Sequence, residues 1–410
     1  MIPVAEAHAL ISGKIPPPKK ARVPLKDCAK GVLAQDITAT FPQPRFDNSA
    51  MDGFAVRREN TSSASKENPV RLRLKGVISA GTTAHHLVGE GECYQVMTGA
   101  PIPQGADAVV MVEDTSGFSD DGAVEIFKGA AQNQHIRFRG EEIGKGEVLT
   151  ASGTRIGTAE VGVMASFGYD EVKIFRRPKI ALFATGNELK EPGDELKPGQ
   201  IFNSNLYVFT DLTERVGGKV VLRRVLEDKR ESLQTFLAEA LQKADIIVSS
   251  GGVSMGRYDY VRDVFLELGV EENFWKVAQK PGKPLFFGTA AENLIFGLPG
   301  NPVSSFMCFM EYVWPTCERW MGLEPRPKVE VTLAESYPRE KMKNRYIFGE
   351  AWLENGKLMG RASTKLGSHM FTSTIGANCL LESEPGEGPL MEGETILANP
   401  LPWQPIGLER

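Results

Sequence analysis

Apolar positions along the second half of this chain follow two alternating rhythms. From Arg177 onward the short runs KIALFAT, KVVLRRV and ADIIVSS alternate with amphipathic stretches around SNLYVFTDLTERVGG, DKRESLQTFLAEALQKA and YDYVRDVFLELG. Near-continuous apolar runs separated by helical periods predict βαβ units, and so a parallel sheet covered on both faces. PVSSFMCFMEYVWPTCERWMG, with Pro302 at a first helical position, predicts a closing helix that continues past Pro315. Between about Phe46 and Leu149 the rhythm changes: strands such as VRLRLKGVI and ADAVVMVED lie among Gly, Pro and Asp turns, and no helical period lasts long enough to bury a face. This predicts a separate β-rich domain. Beyond about Pro325, KVEVTLAESY, YIFGEAWLENGKLMG and ETILANPLPWQPIG repeat the strand-and-turn pattern and predict a small β-barrel or sandwich. The expected fold is α/β plus β: a doubly wound parallel-sheet domain, a β-rich inserted domain and a C-terminal barrel-like domain.

A chain of 410 residues exceeds what one core supports, and its 41% hydrophobic and 24% charged residues match an ordinary globular protein, so several folded domains are expected. The net charge of −5 offers no global attraction for nucleic acid. An anionic ligand would have to be held by local Lys, Arg and backbone N–H groups. The five cysteines, Cys28, Cys93, Cys308, Cys317 and Cys379, are scattered and form no CxxC pair, which reads as reduced thiols in a cytoplasmic protein. MIPVAEAHALISGKIPPPKK lacks the pattern of a secretion signal, and no apolar stretch approaches the ~18 residues of a membrane span, so neither export nor membrane anchoring is expected.

The candidate chemistry sits at strand ends. SSGGVSMGRYDY, Ser249 to Tyr260, follows the apolar run ADIIV, and its two glycines permit the close backbone approach that a bound anion needs. Asp259 would repel that anion unless a cation lies between them, so phosphate with magnesium satisfies both groups. TGNEL, which follows KIALFA, and FGLPGNPVSS, which precedes the last helix, belong at the same edge, where ligands of open α/β sheets bind. Asp228, after KVVLRRVLE, reads first as a helix cap and second as a ligand; Asp259 reads as a magnesium ligand or as a cap for the helix after it. In PGKPLFFG, Lys283 stands between two prolines, a rigid placement for a cation facing an oxyanion. In the β-rich region FDNSAMDGFAV supplies Asp47, Asn48, Ser49 and Asp52, and RFRGEEIGKGE supplies Arg137, Arg139, Glu141 and Glu142; turn formation and surface charge explain these equally well. The five histidines show no zinc-ligand spacing.

Taken in order over nearly the whole chain, FDNSAMDGFAV, MTGAPIPQGADAVV, RGEE, ALFATGNEL, PGQIFNSN, SSGGVSMGRYDY, PGKPLFFG and FGLPGNPVSS resemble the molybdopterin molybdotransferases, the family of bacterial MoeA and the gephyrin E domain. The resemblance implies insertion of molybdate into adenylylated molybdopterin with release of AMP, a requirement for Mg2+, and a four-domain elongated homodimer. The implied division is 1–24 with 178–326 as the α/β domain, 25–44 with 147–177 as a linking domain, 45–146 as the inserted domain and 327–410 as the C-terminal domain. It implies Asp259 and Glu188 at the magnesium and pterin-phosphate site, with Asp228 nearby and Gly251, Gly252 and Ser254 lining the loop. Thr185, Gly186, Asn187, Ser250, Pro299 and Pro302 fall in the same matched motifs and are expected at the substrate. Asp52 and Glu142 correspond to acids facing that cleft, although Glu142 stands where the family pattern has Asp. Lys280, Lys283, Pro284, Arg345 and Ser368 match positions that hold molybdate. A molybdopterin adenylyltransferase and molybdoenzymes are the implied partners.

Such a reaction is mainly positioning and electrostatics and needs no Ser or Cys nucleophile, which agrees with motifs that contain no cysteine. Two competing readings are a scaffold that keeps the fold without its chemistry and a hydrolase built on the α/β domain. The first predicts a decayed site, whereas here nearly every acid and glycine remains. The second leaves the matching β-rich and C-terminal regions unexplained.

Overall fold

The computed structural model of the chain describes residues 1–82, 85–118, 121–252 and 260–408. It divides into two compact units, one of Asp36–Ser152 with Ala159–Asp170 and the other of Met1–Gln35, Gly153–Thr158 and Glu171–Arg410.

The Asp36–Ser152 unit is built on a five-stranded sheet. Its strands β1 (Gly53–Val56), β2 (Val70–Ile78), β3 (Glu92–Val96), β4 (Ala108–Met111) and β5 (Ala123–Ile126) lie in the order β4-β1-β3-β2-β5. Alternate residues face opposite sides: Phe54 and Val56 pack with Leu72, Cys93 and Ile126, while Ala55 packs with Ile78, Tyr94 and Val96. Beside this sheet, a short ladder pairs Asn48 with Arg137 and Ser49 with Ile136.

The other unit begins with helix α1 (Val4–Lys14) and carries the predicted α/β pattern: β6 (Lys179–Thr185), α2 (Asn205–Val216), β7 (Lys219–Leu226), α3 (Arg230–Lys243), β8 (Ile246–Ser250), α4 (Val261–Glu267), β9 (Glu271–Trp275), β10 (Phe286–Ala290) and β11 (Asn293–Leu298). The sheet order is β7-β6-β8-β11-β10-β9. The first four strands are parallel, and β10 and β9 continue the sheet antiparallel, which a wholly parallel reading does not foresee. The cause is local: only Ala291 and Glu292 separate β10 from β11, and so short a turn can join only antiparallel neighbours. Both faces are covered. Ile180, Leu182 and Ala184 pack with Leu206, Phe209 and Leu212 of α2, while Ala181 and Phe183 pack with Leu233, Phe236 and Leu237 of α3 and Val261, Val264 and Phe265 of α4.

The closing helix runs as α5 (Pro302–Cys308), a π-helical turn (Phe309–Val313) and α6 (Trp314–Trp320). Pro315 has no N–H and falls in the first turn of α6, where the wider π turn removes the need for that donor. Strands β12 (Val329–Leu333), β13 (Asn344–Glu354), β14 (Lys357–Ala362), β15 (Cys379–Ser383) and β16 (Thr395–Pro400) then close a five-stranded barrel in the order β13-β14-β12-β16-β15-β13. Asn355 and Gly356, with φ of 49° and 76°, form the two-residue turn between β13 and β14 that the Asn-Gly pair in LENGKL encodes. All five cysteines are buried and unbonded, and burial pushes the Cys93 and Cys379 thiols up to about 12.

Candidate active site

The cleft forms because four strands end level. Thr185 lies opposite Leu226, Ala184 opposite Ser250, and Ser250 opposite Leu298, so the loops after β6, β7, β8 and β11 leave the sheet side by side at its carboxyl edge. They enclose a cleft of about 620 Å³ that is bordered by Thr185, Gly186, Glu188, Asp228, Ser250, Gly251, Gly252, Pro284, Pro299 and Pro302.

Backbone geometry explains the glycines. Gly251 and Gly252 sit at φ of 87° and 73°, and the Gly251 N–H donates to Leu298 O at 3.0 Å, which ties the β8 loop to the end of β11. A Cβ on Gly252 would stand 2.2 Å from Val261 Cγ2, so the loop lies directly against α4. Asn205, at the start of α2, braces the same edge: its side-chain amide donates to Ser250 Oγ at 2.7 Å and to Gly300 O at 2.8 Å.

Glu188 and Asp228 bring carboxylates to this cleft. Asp228 does not cap α3, the first reading of its position. The cap position is Lys229, with no side-chain cap bond, and the Asp228 carboxylate instead accepts from the Asn187 N–H at 3.3 Å. The Asp228 N–H returns a bond to Asn187 Oδ1 at 3.3 Å, so the pair clamps the β6 and β7 loops together. Asp259 and Ser254 lie outside the described residues. Among the described residues no three His, Cys, Asp or Glu side chains are grouped for a metal. Two carboxylates on a cleft also bordered by glycines and hydroxyls fit the donor set of magnesium, which takes one or two protein carboxylates and completes its shell with phosphate oxygens and water.

The C-terminal region reaches the cleft through the loop after β14. Asn301 Nδ2 donates to Ser368 Oγ at 3.1 Å and the Val303 N–H to Ser368 O at 3.2 Å, which holds this loop on the start of α5 and brings His369 to the cleft wall. Lys280, Lys283, Arg345 and Ser368 are not among the described residues bordering the cleft. Lys283 is exposed and immediately precedes Pro284, which does border it. Lys280 and Arg345 are register partners, but the Lys280 amine is held by Glu340 at 2.6 Å, and this bond keeps the Glu340 carboxyl below its usual range. Arg345 is buried, and among the described residues its Nε has no hydrogen-bond partner.

Sequence reasoning left Ile201, Phe202, Asn203, Ser204, Asn205 and His369 unassigned, although each borders the cleft. The available signal was IFNSN, an Asn-Ser-Asn group that opens a helix directly after an apolar pair.

In the Asp36–Ser152 unit the ladder at Asn48 and Ser49 brings FDNSAMDG beside RFRGEE. The Arg139 N–H donates to Asp47 Oδ1 at 2.8 Å, the Ser49 hydroxyl donates to Met51 O at 2.5 Å, and Glu141 accepts from the Phe138 N–H at 2.7 Å, so these three side chains build their own turns. Asp52 Oδ1 accepts from the Thr98 N–H at 2.6 Å and the Thr98 hydroxyl at 2.8 Å. Those bonds, the backbone one first, hold the Asp52 carboxyl below the usual Asp range although it is exposed. Glu142 is exposed, and its N–H donates to Gln43 O at 3.0 Å.

Comparison with known proteins places all three segments in one family. Residues 2–168 match the MoeA N-terminal region (domain I and II), 182–319 match a probable molybdopterin binding domain, and 330–401 match the MoeA C-terminal region (domain IV). The molybdopterin molybdenumtransferase of Staphylococcus aureus (strain MRSA252) is 34% identical over 96% of this chain and 94% of its own. That of Bacillus subtilis (strain 168) is 33% identical over 91% and 88%. The crystal structure of a molybdopterin biosynthesis MoeA protein from Pyrococcus horikosii superposes with a TM-score of 0.79 at 32% identity, over 98% of this chain and 99% of that one. With its α/β cleft, its five-stranded barrel and this likeness over nearly its full length, the chain belongs to the MoeA family of molybdopterin molybdenumtransferases.

Proposed function

We propose that this protein transfers molybdenum from molybdate to the dithiolene of an adenylylated molybdopterin and releases AMP, acting as a magnesium-dependent cytoplasmic homodimer. The observation that carries this reading is the convergence, in one cleft, of a glycine-lined backbone and small hydroxyls with the carboxylates of Glu188 and Asp228. Backbone N–H groups and hydroxyls favour a phosphate, and carboxylates beside it call for a cation between them. Glu188 and Asp228 would hold magnesium, with Asp259, which follows the SSGG stretch in sequence, as a third candidate. When bound, magnesium offsets charge on the phosphoanhydride and so favours departure of AMP. The chain does the positioning: Asn187 fixes the Asp228 carboxylate, and Asn205 holds the β8 and β11 loops at their spacing.

Molybdate is the second substrate. Lys283 supplies a positive charge next to the cleft-lining Pro284, with Arg345, Ser368 and Lys280 as further candidates for the oxyanion. Lys280 must first exchange Glu340 for that ligand. Asp52 and Glu142 act at the cleft of the partner subunit. The adenylylated substrate comes from a molybdopterin adenylyltransferase, and the product passes to molybdoenzymes.

The test is AMP release by purified protein given adenylylated molybdopterin, molybdate and Mg2+. Glu188→Gln and Asp228→Asn should retain the fold and lose turnover, and mixing inactive Asp52→Ala with inactive Glu188→Ala subunits should restore part of it. Full activity of both carboxylate variants, or mass-confirmed heterodimers as inactive as either parent, would each overturn the corresponding assignment.

A further inference from the structure

The cleft lining mixes polar groups with apolar ones such as Leu189, Pro284, Pro299 and Pro302. Within it, Ile201 and Phe202 are large apolar side chains that stand 55% and 44% exposed, and both border the cavity. Large apolar side chains left in water gain nothing from that position in the folded chain alone. Nor is the pair a loose loop tip. The Ile201 N–H donates to Glu188 O at 2.9 Å, and the Asn203 N–H, one residue beyond Phe202, donates to Lys190 O at 2.8 Å. Asn203 is only 1% exposed, and its side chain accepts from the Leu206 N–H at 3.2 Å while donating to Glu191 Oε1 at 3.0 Å. Phe202 is therefore pinned on both sides, and the apolar pair is joined by a backbone bond to the residue that carries the Glu188 carboxylate.

We infer that Ile201 and Phe202 form a stacking wall for a flat heteroaromatic ring on the substrate, resting on the reading above that the cleft takes an adenylylated pterin. A cleft that combines glycine backbone, hydroxyls and carboxylates with a rigidly held, exposed apolar pair suits a ligand that joins phosphate to a planar ring. An aromatic side chain provides a sequence-tolerant face for such a ring, and holding it in place before binding avoids the cost of ordering it afterwards. Adenine and pterin share this chemistry, and separate probes distinguish them.

The experiment measures calorimetric binding of AMP, ribose 5-phosphate and 6-hydroxymethylpterin to wild-type protein and to Ile201→Ser, Phe202→Ser and Phe202→Tyr, with thermal melts as folding controls. Wild-type protein should bind AMP more tightly than ribose 5-phosphate. One or both serine variants should weaken binding of AMP, of the pterin, or of both by roughly 5- to 100-fold, leave ribose 5-phosphate unchanged, and leave Phe202→Tyr near wild type. The ring probe that loses affinity identifies the end of the substrate that the wall holds. Equal affinities for AMP and the pterin in wild-type and both serine variants would overturn the wall while leaving the phosphate cradle standing. Failure of wild-type protein to bind either phosphate probe would overturn the underlying reading as well. Loss of the assembly state by sedimentation, with ring binding intact, would mark the pair as a subunit contact and also overturn the proposal.

Discussion

Asn205→Ala tests whether the cleft is held open by one side chain. The Asn205 amide donates to Ser250 Oγ at 2.7 Å and to Gly300 O at 2.8 Å, and so spans the loops after β8 and β11. Ser250 is only 4% exposed, and loss of its partner costs about 1 kcal/mol or slightly more, because water reaches it poorly. Gly300 is exposed, so its carbonyl recovers much of its loss from solvent, and this bond contributes about 0.5–1 kcal/mol. Deleting the buried carboxamide adds a small void, bringing the total to about 2–3 kcal/mol. In a unit of this size that lowers the thermal midpoint by roughly 4–9 °C. AMP affinity should fall about tenfold or more, since a 1.4 kcal/mol loss of preorganised binding is a factor of ten. Asn205→Asp keeps the shape but turns a carboxylate toward the Gly300 carbonyl, so it should do no better than alanine. Thermal melts and calorimetric AMP binding on the three proteins decide the matter. An alanine variant that melts within about 1 °C of wild type and binds AMP normally would refute the bracing role.

Gly252→Ala should destabilise the protein by about 2–4 kcal/mol in denaturant titrations, from a left-handed backbone and overlap with Val261, and adding Val261→Ala should recover part of that loss; no recovery would mean that backbone strain alone is responsible. The Asp52 carboxyl is depressed by its Thr98 bonds, so its stabilising contribution is complete above the ordinary Asp value of about 3.9 and disappears as pH falls through the lower folded value. The stability gap between wild type and Asp52→Asn should therefore narrow between pH 7 and pH 2, and a gap that stays constant in melts across that range counts against the Thr98 contact. Lys283→Ala should raise the molybdate concentration needed for half-maximal turnover while leaving AMP affinity unchanged; the opposite split assigns this lysine to the phosphates. All five cysteines should resist a thiol reagent at pH 8 in the native protein and react after unfolding, because each is buried and unbonded.

Much of the architecture was legible in the chain because it follows from local periodicity. KIALFAT and ADIIVSS have the continuous apolar character of strands buried on both faces, and the opposing contacts of Leu182 and Phe183 are what that character encodes. The Asn-Gly pair at 355–356 specified its own turn. Glycine-rich loops at strand ends likewise marked the turns that border the cleft, since the demand for positive φ at Gly251 and Gly252 is a property of those residues alone. Relations between distant segments were not legible. Asp228 looked like a helix cap because capping is a local rule, and its bond to Asn187 exists only because parallel pairing places two strand ends side by side. Asn205 gave no sign of bracing Ser250 and Gly300, 45 and 95 residues away, and His369 reaches the cleft only because Asn301 holds the neighbouring Ser368. Periodicity is set within a few residues of chain, whereas a side chain's partner across the sheet edge is chosen by strand order and register, which packing of the whole unit determines.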